Sequence, residues 1–313
     1  MSINIGERAA ATFEQKSSEV FDNISNSNAL LHRLMKKGNI VEDTGGTTID
    51  NNLMYAENGM YKWFDGGLES FDINEEEVID AAQWDRKYLG TFIYFSNKDK
   101  TENRNKHQIF NLIKNRKRVA ELTLKNQVAS ALYSDGSVSK QLGGLKLLID
   151  DDPTSAGTVG GIDQVANTFW RNQFTAATAF TSATARGLMN TRWLSCVRDT
   201  DKPDLIMAAA NMYTPYEESL QENVRYTSTK MADAGFESIK YKTADVVYDD
   251  VCPTSRMYFV NTDYMELCTP SDQRFTVGKN RTVTNAFYDV IPILFAGALT
   301  CQNRSLQGVI IGS

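Results

Sequence analysis

The feature that most constrains the fold is an uninterrupted stretch from Thr101 to Asp135. It contains no proline, and its apolar residues recur at steps of three and four. That spacing predicts a helix with one buried face. The apolar positions are Ile109, Leu112, Ile113, Ala120, Leu124, Val128, Ala131 and Leu132. Gly136 follows and predicts the C-terminal stop, because glycine adopts the left-handed conformation at little cost.

The predicted helix is long for a chain of 313 residues. About 30 residues span about 45 Å at 1.5 Å per residue, whereas an average helix has about 11–12 residues. We therefore expect other elements of the fold to lie along this helix.

A second unusual segment, residues 53–96, precedes the helix. Two extended, aromatic-rich stretches flank the pair Gly66-Gly67 and the acidic run Glu75 to Glu77. They predict a two-stranded ribbon, which is only marginally stable by itself in water. Its aromatic residues are Tyr55, Tyr61, Trp63, Phe64, Trp84, Tyr88, Phe92, Tyr94 and Phe95. So many aromatic side chains leave two interpretations open: the ribbon packs on its own domain, or it lies against a neighbour.

The remaining segments predict a mixed α+β chain without an internal repeat. A short helix is expected from Asn28 to Lys37, ended by Gly38. A second helix is expected over residues 213–226, where apolar positions recur at steps of four. Strands are predicted at residues 145–149, 205–207, 236–249, 256–262 and 306–311, with alternating strand patterns over 274–303.

Composition and net charge argue against several classes of protein. The formal net charge is −6 and the pI about 5.2, which argues against a dedicated nucleic-acid binder. The four cysteines are scattered along the sequence, as is typical of reduced thiols in a cytosolic fold. A zinc site is not expected, because the chain has only two histidines and neither is near a cysteine in sequence. The longest apolar run, residues 290–299, is too short to cross a membrane. The N-terminus lacks the apolar core of a signal peptide, so we expect folding in a cytoplasm.

No motif predicts a catalytic, cofactor-binding or metal site. Asp150 to Asp152 offers carboxylates for a cation but lacks the spacing of a calcium loop, which favours a solvated turn. Residues 157–161 are rich in glycine without a nucleotide-binding pattern. The only dense basic run lies on the long helix: Lys114, Arg116, Lys117 and Arg118. It is interpreted as an exposed polar face or as a partner for acids of a neighbouring chain, with phosphate contact as the alternative.

Further motifs accompany the acid-tipped ribbon and the long helix in a consistent order. They are Gly143-Gly144-Leu145, Gly160-Gly161-Ile162, NTFWRN at 167–172, KPDLI at 202–206, YTPYEESL at 213–220, MYFVN at 257–261 and NRSLQG at 303–308. From about Leu30 to its end, the chain resembles the major capsid proteins of tailed bacteriophages that have the HK97-type fold.

The resemblance implies an α+β fold divided into named parts. These are an N-terminal arm (1–52), an extended loop (53–97), the spine helix of a peripheral domain (98–142), an axial domain (143–251), peripheral-domain strands (252–295) and a C-terminal strand that returns to the axial domain (296–313). Contacts between subunits are expected on the extended loop at Tyr61, Trp63, Phe64 and Trp84. A charged contact is expected on the spine helix at Lys114, Arg116, Lys117 and Arg118.

The implied function is structural rather than enzymatic. The chain would self-assemble, in pentamers and hexamers, into an icosahedral head shell around double-stranded phage DNA. The expected partners are further copies of the chain and a portal protein, and scaffolding or cementing proteins are left open. DNA would be contacted only non-specifically, and no contact with a membrane is expected. No cofactor is expected. The protein would be assembled in the cytoplasm of the host bacterium and reside in the virion.

Two alternatives remain open on the sequence. An encapsulin-like compartment would use the same fold to enclose protein cargo rather than DNA. A cytosolic enzyme with an unrecognised site belongs to a different class, and the scarcity of histidine and the absence of a nucleotide loop argue against it. The negative net charge of the chain suits a container for DNA, because a strongly basic wall would bind the DNA phosphates.

Overall fold

The structure, a computed structural model, describes most of the chain after residue 27. The described residues are 28–43, 45–56, 59, 61–63, 65–66, 78–102, 106–177, 179–220, 238–283 and 287–312, with the backbone alone over 100–102 and 106–112.

The described chain contains both helices and strands. The helices are α1 (Ala29–Lys37), α2 (Asn97–Glu102), α3 (Lys106–Ala131), α4 (Leu145–Leu148), α5 (Ala185–Ser195) and α6 (Ala210–Ser219). The strands are β1 (Ile40–Glu42), β2 (Thr48–Met54), β3 (Ile79–Asp85), β4 (Lys87–Ser96), β5 (Thr158–Val159), β6 (Ile162–Asp163), β7 (Gln173–Ala177), β8 (Leu205–Ala208), β9 (Ser238–Tyr241), β10 (Ala244–Tyr248), β11 (Arg256–Val260), β12 (Met265–Thr269), β13 (Thr276–Val277), β14 (Arg281–Thr282), β15 (Tyr288–Cys301) and β16 (Gly308–Gly312). Single 3₁₀ turns lie at Thr168–Trp170, Thr262–Tyr264, Ser271–Gln273 and Arg304–Leu306.

The short helix α1 confirms the sequence prediction in its caps as well as its position. The Asn28 side chain accepts hydrogen bonds from the N–H groups of Leu30 and Leu31, at 3.0 and 3.2 Å. Such a cap satisfies donors that have no partner inside the helix. Gly38 ends the helix at a φ of 80°, a conformation that costs glycine little.

The long helix α3 is present, and its C-terminal end is earlier than predicted. Residues 97–102 form the helix α2, residues 103–105 lie outside the described residues, and α3 ends at Ala131 rather than near Gly136. The helix stops early because the chain folds back on its last turn: the Leu145 N–H donates to the Leu132 carbonyl at 2.6 Å. Gly144 packs so closely there that a Cβ would lie 2.5 Å from the same carbonyl. The predicted buried face is confirmed for Ala120, Leu124, Val128, Ala131 and Leu132.

The first sheet is organised on the long strand β15. β12, β13 and β14 pair with β15 in antiparallel register, β4 pairs along ten of its residues, and β1 is parallel to β12. The strand β4 was predicted as one arm of the ribbon. Its pairing with β15 therefore assigns the second half of that arm to the sheet, and the ribbon proper consists of β2 and β3.

The second sheet has the strand order β7-β16-β11-β8-β10-β9. Its buried residues alternate between two cores: Ile206, Phe259 and Ile310 face α5 and α6, whereas Met207 and Tyr258 face a larger core shared with the first sheet and α3. Alternation is expected of a sheet buried on both faces, because successive side chains point in opposite directions.

The structure corrects one predicted strand and shows how the strands of two expected parts pair. Residues 145–148 form a helical turn and not a strand. The strand at 256–260 pairs with β8 and β16 in the second sheet, so it does not group with the other strands of 252–295. Finally, β15 continues to Cys301, so within 296–313 only residues 308–312 form a strand of the second sheet.

Candidate assembly surfaces

The root of the ribbon packs on its own chain through one face. Ala82 and Trp84 on β3 are buried, and Leu53 on β2 joins them in the larger core. They lie against the hairpin β5–β6, where the Gln83 N–H donates to the Gly160 carbonyl at 2.8 Å. Gly160 has a φ of 62°, and a Cβ there would meet the Trp84 ring at 3.2 Å. The close approach therefore requires glycine at this position.

The structure places Trp84, one of the four predicted contact residues, inside its own chain. Its side chain is only 7% exposed and belongs to the core of its own chain. The sequence could not distinguish Trp84 from the other ribbon tryptophan, because both occur in the same kind of aromatic, extended stretch.

The outer part of the ribbon presents apolar side chains to solvent. Trp63 is 95% exposed and Tyr61 is 72% exposed, and Met54 and Ile79 are also exposed where the described ladder ends. Phe64, the fourth predicted contact residue, lies outside the described residues. Large apolar side chains clustered on a surface indicate an interaction site, since burying them in a partner is favourable.

A second exposed aromatic group lies on the outer face of the first sheet. Tyr88, Phe92 and Tyr94 alternate along β4 with residues that face inward, and all three are exposed. Leu294 lies opposite Gly90 in the pairing, and its side chain covers the space where that glycine has none. The sequence predicts these aromatics on the ribbon, and the structure places them on a strand that pairs with β15.

The basic run on α3 divides into two pairs of residues. The Arg116 guanidinium donates to the Tyr94 carbonyl at 2.6 Å and to Asp99 at 2.9 Å, and it lies 4.8 Å from the Tyr94 ring centroid. Lys117 pairs with Glu121 one turn along, at 3.4 Å. Lys114 and Arg118 are exposed. The structure therefore gives Arg116 and Lys117 roles within their own chain and leaves Lys114 and Arg118 facing outward.

An ion-pair cluster attaches α1 to the second sheet. The carboxylate of Asp204 contacts Arg33 at 2.7 Å and Lys37 at 3.1 Å, and it accepts hydrogen bonds from the backbone and hydroxyl of Thr262. Burial alone would raise the pKa of Asp204. The Thr262 hydrogen bond and the two cations outweigh burial, so the pKa lies below its ordinary value.

A fully buried arginine joins segments that are distant in sequence. The Arg304 guanidinium donates to the carbonyls of Leu148 and Trp170, at 2.7 and 3.0 Å. It also donates to the side-chain oxygens of Gln164 and Asn172, at 3.0 and 3.1 Å. Burial lowers the pKa of Arg304 to about 10, which leaves it charged at neutral pH. The KPDLI and NRSLQG motifs thus each supply an internal anchor, Asp204 in the first and Arg304 in the second.

The three carboxylates of residues 150–152 have hydrogen-bond or ion-pair partners within the chain. Asp150 binds the Gln164 amide, Asp151 pairs with Arg256, and Asp152 caps its own turn. Within the described ranges, no group of three or more His, Cys, Asp or Glu side chains could hold a metal ion. Burial raises the thiol pKa of Cys196, Cys252 and Cys301 to about 12, and it also raises that of Cys268. Burial therefore disfavours the thiolate, which is the nucleophilic form of cysteine.

Comparisons with known proteins identify the fold. No protein-family model and no curated protein matches this sequence. The cyanophage A-1(L) capsid asymmetric unit matches in structure with a TM-score of 0.64 and 16% identity, covering 88% of this chain and 90% of that chain. The chain has the HK97-type capsid fold. The capsid of a native GTA particle also matches, with a TM-score of 0.60 and 10% identity over 90% of this chain and 89% of that one.

A shell of a different kind shares the HK97-type fold with this chain. The holo-SrpI encapsulin complex from Synechococcus elongatus PCC 7942 matches with a TM-score of 0.55 and 9% identity, over 88% of this chain and 86% of that chain. The α+β HK97-type fold expected from the sequence is therefore confirmed. In the part of the chain that the structure describes, no helix is both long and apolar enough to cross a membrane.

Proposed function

We propose that the chain is a structural major capsid protein that self-assembles into an icosahedral head shell around phage DNA. The observation that carries the proposal is the similarity of nearly the whole chain to subunits of phage and phage-like capsids. The match covers about nine-tenths of both chains, so the similarity extends over most of the chain and is not confined to one part of it.

The parts of the molecule can be assigned within this proposal. The first sheet with α3 forms the peripheral domain, and α3 is its spine helix. The second sheet with α5 and α6 forms the axial domain, which meets its copies in pentamers and hexamers. The N-terminal arm, expected over residues 1–52, ends before β1 joins the first sheet, and the ribbon of β2 and β3 forms the extended loop that lies on a neighbouring subunit.

The exposed ribbon residues support a role in assembly. Trp63 and Tyr61 are exposed in the isolated chain, although aromatic side chains are stabilised by burial. A contact with a neighbour would bury them. A shell also needs contacts that are weak singly and strong together, so that a misplaced subunit can leave, and a ribbon repeated at every subunit provides such contacts.

Copies of the same chain are the principal partners, with a portal protein at one vertex and packaged DNA contacted non-specifically. The virion is the proposed location, after assembly in the cytoplasm of the host bacterium. An encapsulin-like compartment is the second candidate, and the match to the SrpI encapsulin favours it specifically. Such a shell would enclose protein cargo in place of DNA.

The test is to express the chain alone and examine it by size-exclusion chromatography and negative-stain electron microscopy. A capsid or compartment protein elutes in the void volume and forms spheres, rings or sheets of hexamers. An enzyme would give a small, discrete oligomer and would refute the proposal. The two shell candidates are then separated by what co-purifies from the native source: phage DNA with a portal for a capsid, or a defined cargo protein for a compartment.

A further inference from the structure

We propose that a cavity beside helix α5 binds the phosphate group of a small molecule. This inference goes beyond the proposed function, because a ligand site within one chain does not depend on shell formation. The arginine cavity is defined here as the space lined by Arg171, Arg192 and Arg198, by the end of β2 at residues 53–55, and by parts of the turns at 153–154, 168–170 and 302–305.

The arginine cavity is large enough for an organic ligand and open to solvent. Its volume is about 640 Å³, and pockets that hold small organic molecules measure about 300–1,000 Å³. Thr154, Thr191 and Ser195 line the cavity and are exposed. A small molecule can therefore enter from solvent between these residues.

The positive charge of the cavity is not balanced by acids. Three arginines line it, and none of the described residues that line it is Asp or Glu, although the whole chain has a net charge of −6. Two acids close in sequence to the lining residues have local partners. Asp152 accepts from the Thr154 backbone at 3.1 Å, and Asp201 accepts from the Tyr264 hydroxyl at 2.5 Å. The cavity therefore favours an anionic ligand.

Arg192 is a buried cation that contacts only neutral groups. Its side chain is 6% exposed, and its guanidinium donates to the Phe174 carbonyl, the Thr175 hydroxyl and Ser195 Oγ, the last at 3.0 Å. Burial lowers the pKa of Arg192, and no carboxylate of the described chain offsets that effect. Buried charges in proteins are normally paired, so a bound anion would supply the missing partner.

Arg198 and Arg171 complete the positive wall. The Arg198 guanidinium is exposed and donates to Ser305 Oγ at 3.3 Å. Arg171 donates to the carbonyls of Gln164 and Val165, at 2.7 and 2.5 Å. Neither arginine forms an ion pair with a described residue, and Arg198 makes no other side-chain hydrogen bond to the described chain. The remaining donors of Arg198 are therefore available to a ligand.

The other polar groups of the cavity favour phosphate over a carboxylate or a halide. A guanidinium donates two parallel hydrogen bonds to neighbouring oxygens of a phosphate or a carboxylate. The hydroxyl of Thr168 and the amides of Gln173 and Asn303 add donors that are not bonded to any described residue. A phosphate group has enough oxygen atoms to accept from several of these donors at once, whereas a carboxylate has only two oxygens.

The cavity also has room for the group that carries the phosphate. Tyr55 and Phe169 line it, and their rings stack with centroids 4.8 Å apart. Aromatic side chains of this kind accept flat rings such as nucleobases by stacking. Free phosphate and a phosphate ester are recognised by the same arginines, so the experiment has to separate these two sources.

A DNA strand is the competing source of phosphate, and the cavity suits it less. Strong binding of a strand requires many cations in a row, because each neutralised phosphate releases a counterion. Here three cations share one cavity, and the negative net charge of the chain opposes a polyanion.

The experiment is isothermal titration calorimetry of the purified protein at low ionic strength, in whatever state of assembly it is obtained. The probes are inorganic phosphate, adenosine monophosphate, and sodium chloride at matched ionic strength. Phosphate or the nucleotide should bind saturably, at one site per chain, and chloride should not. Affinity that is at least about tenfold higher for the nucleotide would identify a phosphate ester as the ligand, and equal affinities would identify free phosphate.

Arg198→Gln should weaken phosphate binding by at least about tenfold, since it removes charge-assisted hydrogen bonds from an exposed side chain. The matched control is Arg186→Gln, which removes the same charge from an exposed position of α5 that does not line the cavity. It should bind phosphate like the wild type. Equal weakening in both variants would reflect net charge alone and would overturn the proposal.

A second variant tests the same site without removing an arginine. Ser195→Asp places a carboxylate beside the Arg192 guanidinium and should abolish phosphate binding while the protein remains folded. Leu194→Asp adds the same charge at an exposed neighbouring position outside the cavity and should bind normally. Normal phosphate binding by the Ser195 variant would overturn the proposal.

Two further results would also overturn the proposal. The first is the absence of saturable binding by either phosphate probe up to about 10 mM. The second is tighter binding of a single-stranded oligonucleotide without terminal phosphates, with a steep dependence on salt, which would assign the cavity to DNA. Formation of particles is not measured in this experiment, so a failure of the proposed shell function is detected separately.

Discussion

Arg86 and Asp43 form an ion pair where the ribbon leaves the first sheet, with 2.6 Å between Arg86 Nε and Asp43 Oδ2. Arg86 is the single residue between β3 and β4, and Asp43 directly follows β1. The pair therefore joins the outgoing and the returning strands at the ribbon root. Arg86 also donates to the Gly46 carbonyl at 3.2 Å, and the hydrogen bond to Asp43 raises the pKa of Arg86.

Replacing Arg86 with Ala should lower subunit stability by about 2 kcal/mol, because it leaves the largely buried Asp43 carboxylate without its cation. Chemical denaturation of the subunit measures the change. Lys87→Ala is the matched control, since Lys87 pairs with the exposed Asp85 and its loss should cost less than about 0.5 kcal/mol. Equal losses in the two variants would show that the pair at the ribbon root has no special role.

Arg304→Lys should destabilise the subunit by about 3 kcal/mol or more. Lysine retains the charge but cannot reach the four separate acceptors of Arg304, so buried oxygen atoms lose their hydrogen bonds. Thermal melting followed by circular dichroism is the measurement. Arg281→Lys, at an exposed position, should melt like the wild type. A melting temperature for Arg304→Lys within a degree of the wild type would contradict the network.

The sequence predicted local structure better than it predicted long-range pairs. Helix α1 and the buried stripe of α3 follow from periodicity and capping, which depend only on nearby residues. The ion pair between Arg86 and Asp43 spans 43 residues, and the contacts of Arg304 span 132 to 156 residues. No periodicity signals such pairs, because they depend on how the sheets assemble.

Contact residues on the ribbon could not be distinguished from buried ones by the sequence either, because their burial also depends on distant residues. Trp63 and Trp84 occur in similar extended, aromatic stretches, yet one is exposed and the other packs on the β5–β6 hairpin. That difference depends on Gly160, which is distant in sequence. Likewise, β4 looked like a ribbon strand because its alternation is that of any half-buried strand, and its pairing with β15 could not be deduced from it.

Leu124→Asp should abolish folded subunits, since it buries a charge in the interface between α3 and the core at a cost of several kcal/mol. Yield of soluble protein and circular dichroism measure the effect. Leu122→Asp makes the same change on the opposite, exposed side of the helix and should leave the subunit folded. If the Leu124 variant melts like the wild type, the buried face of α3 is wrongly assigned.

The lowered pKa of Asp204 predicts that subunit stability decreases in acid. Its pKa is lower in the folded state than in the unfolded chain, so its stabilising effect is present above the unfolded pKa and is lost as the pH falls through the folded pKa. Asp204→Asn should therefore melt well below the wild type at neutral pH, and the gap should narrow below about pH 4.

Melting of both proteins at neutral and acidic pH tests this dependence. Asp272→Asn serves as the control, because Asp272 is exposed and forms no ion pair with a described residue. It should match the wild type at each pH. A gap between Asp204→Asn and the wild type that stays constant or widens in acid would contradict the role given to the carboxylate.

Trp63 and Phe64 test whether the ribbon serves the assembly or its own fold. Replacing both with Ser should leave subunit melting unchanged, since Trp63 is exposed in the isolated chain. Each aromatic can contribute about 2–4 kcal/mol at the centre of an interface, so assembly should shift towards free subunits. Trp84→Ser makes the same kind of change at the buried ribbon tryptophan and should lower subunit melting.

The most direct single measurement is sedimentation of assembled particles from the Trp63→Ser, Phe64→Ser variant, read beside the melting curve of its isolated subunits. If the ribbon lies on a neighbouring subunit, particles are lost while the melting temperature stays that of the wild type. Retained particles together with melting lowered by many degrees would contradict it, because the ribbon aromatics would then stabilise their own chain and not a neighbouring subunit.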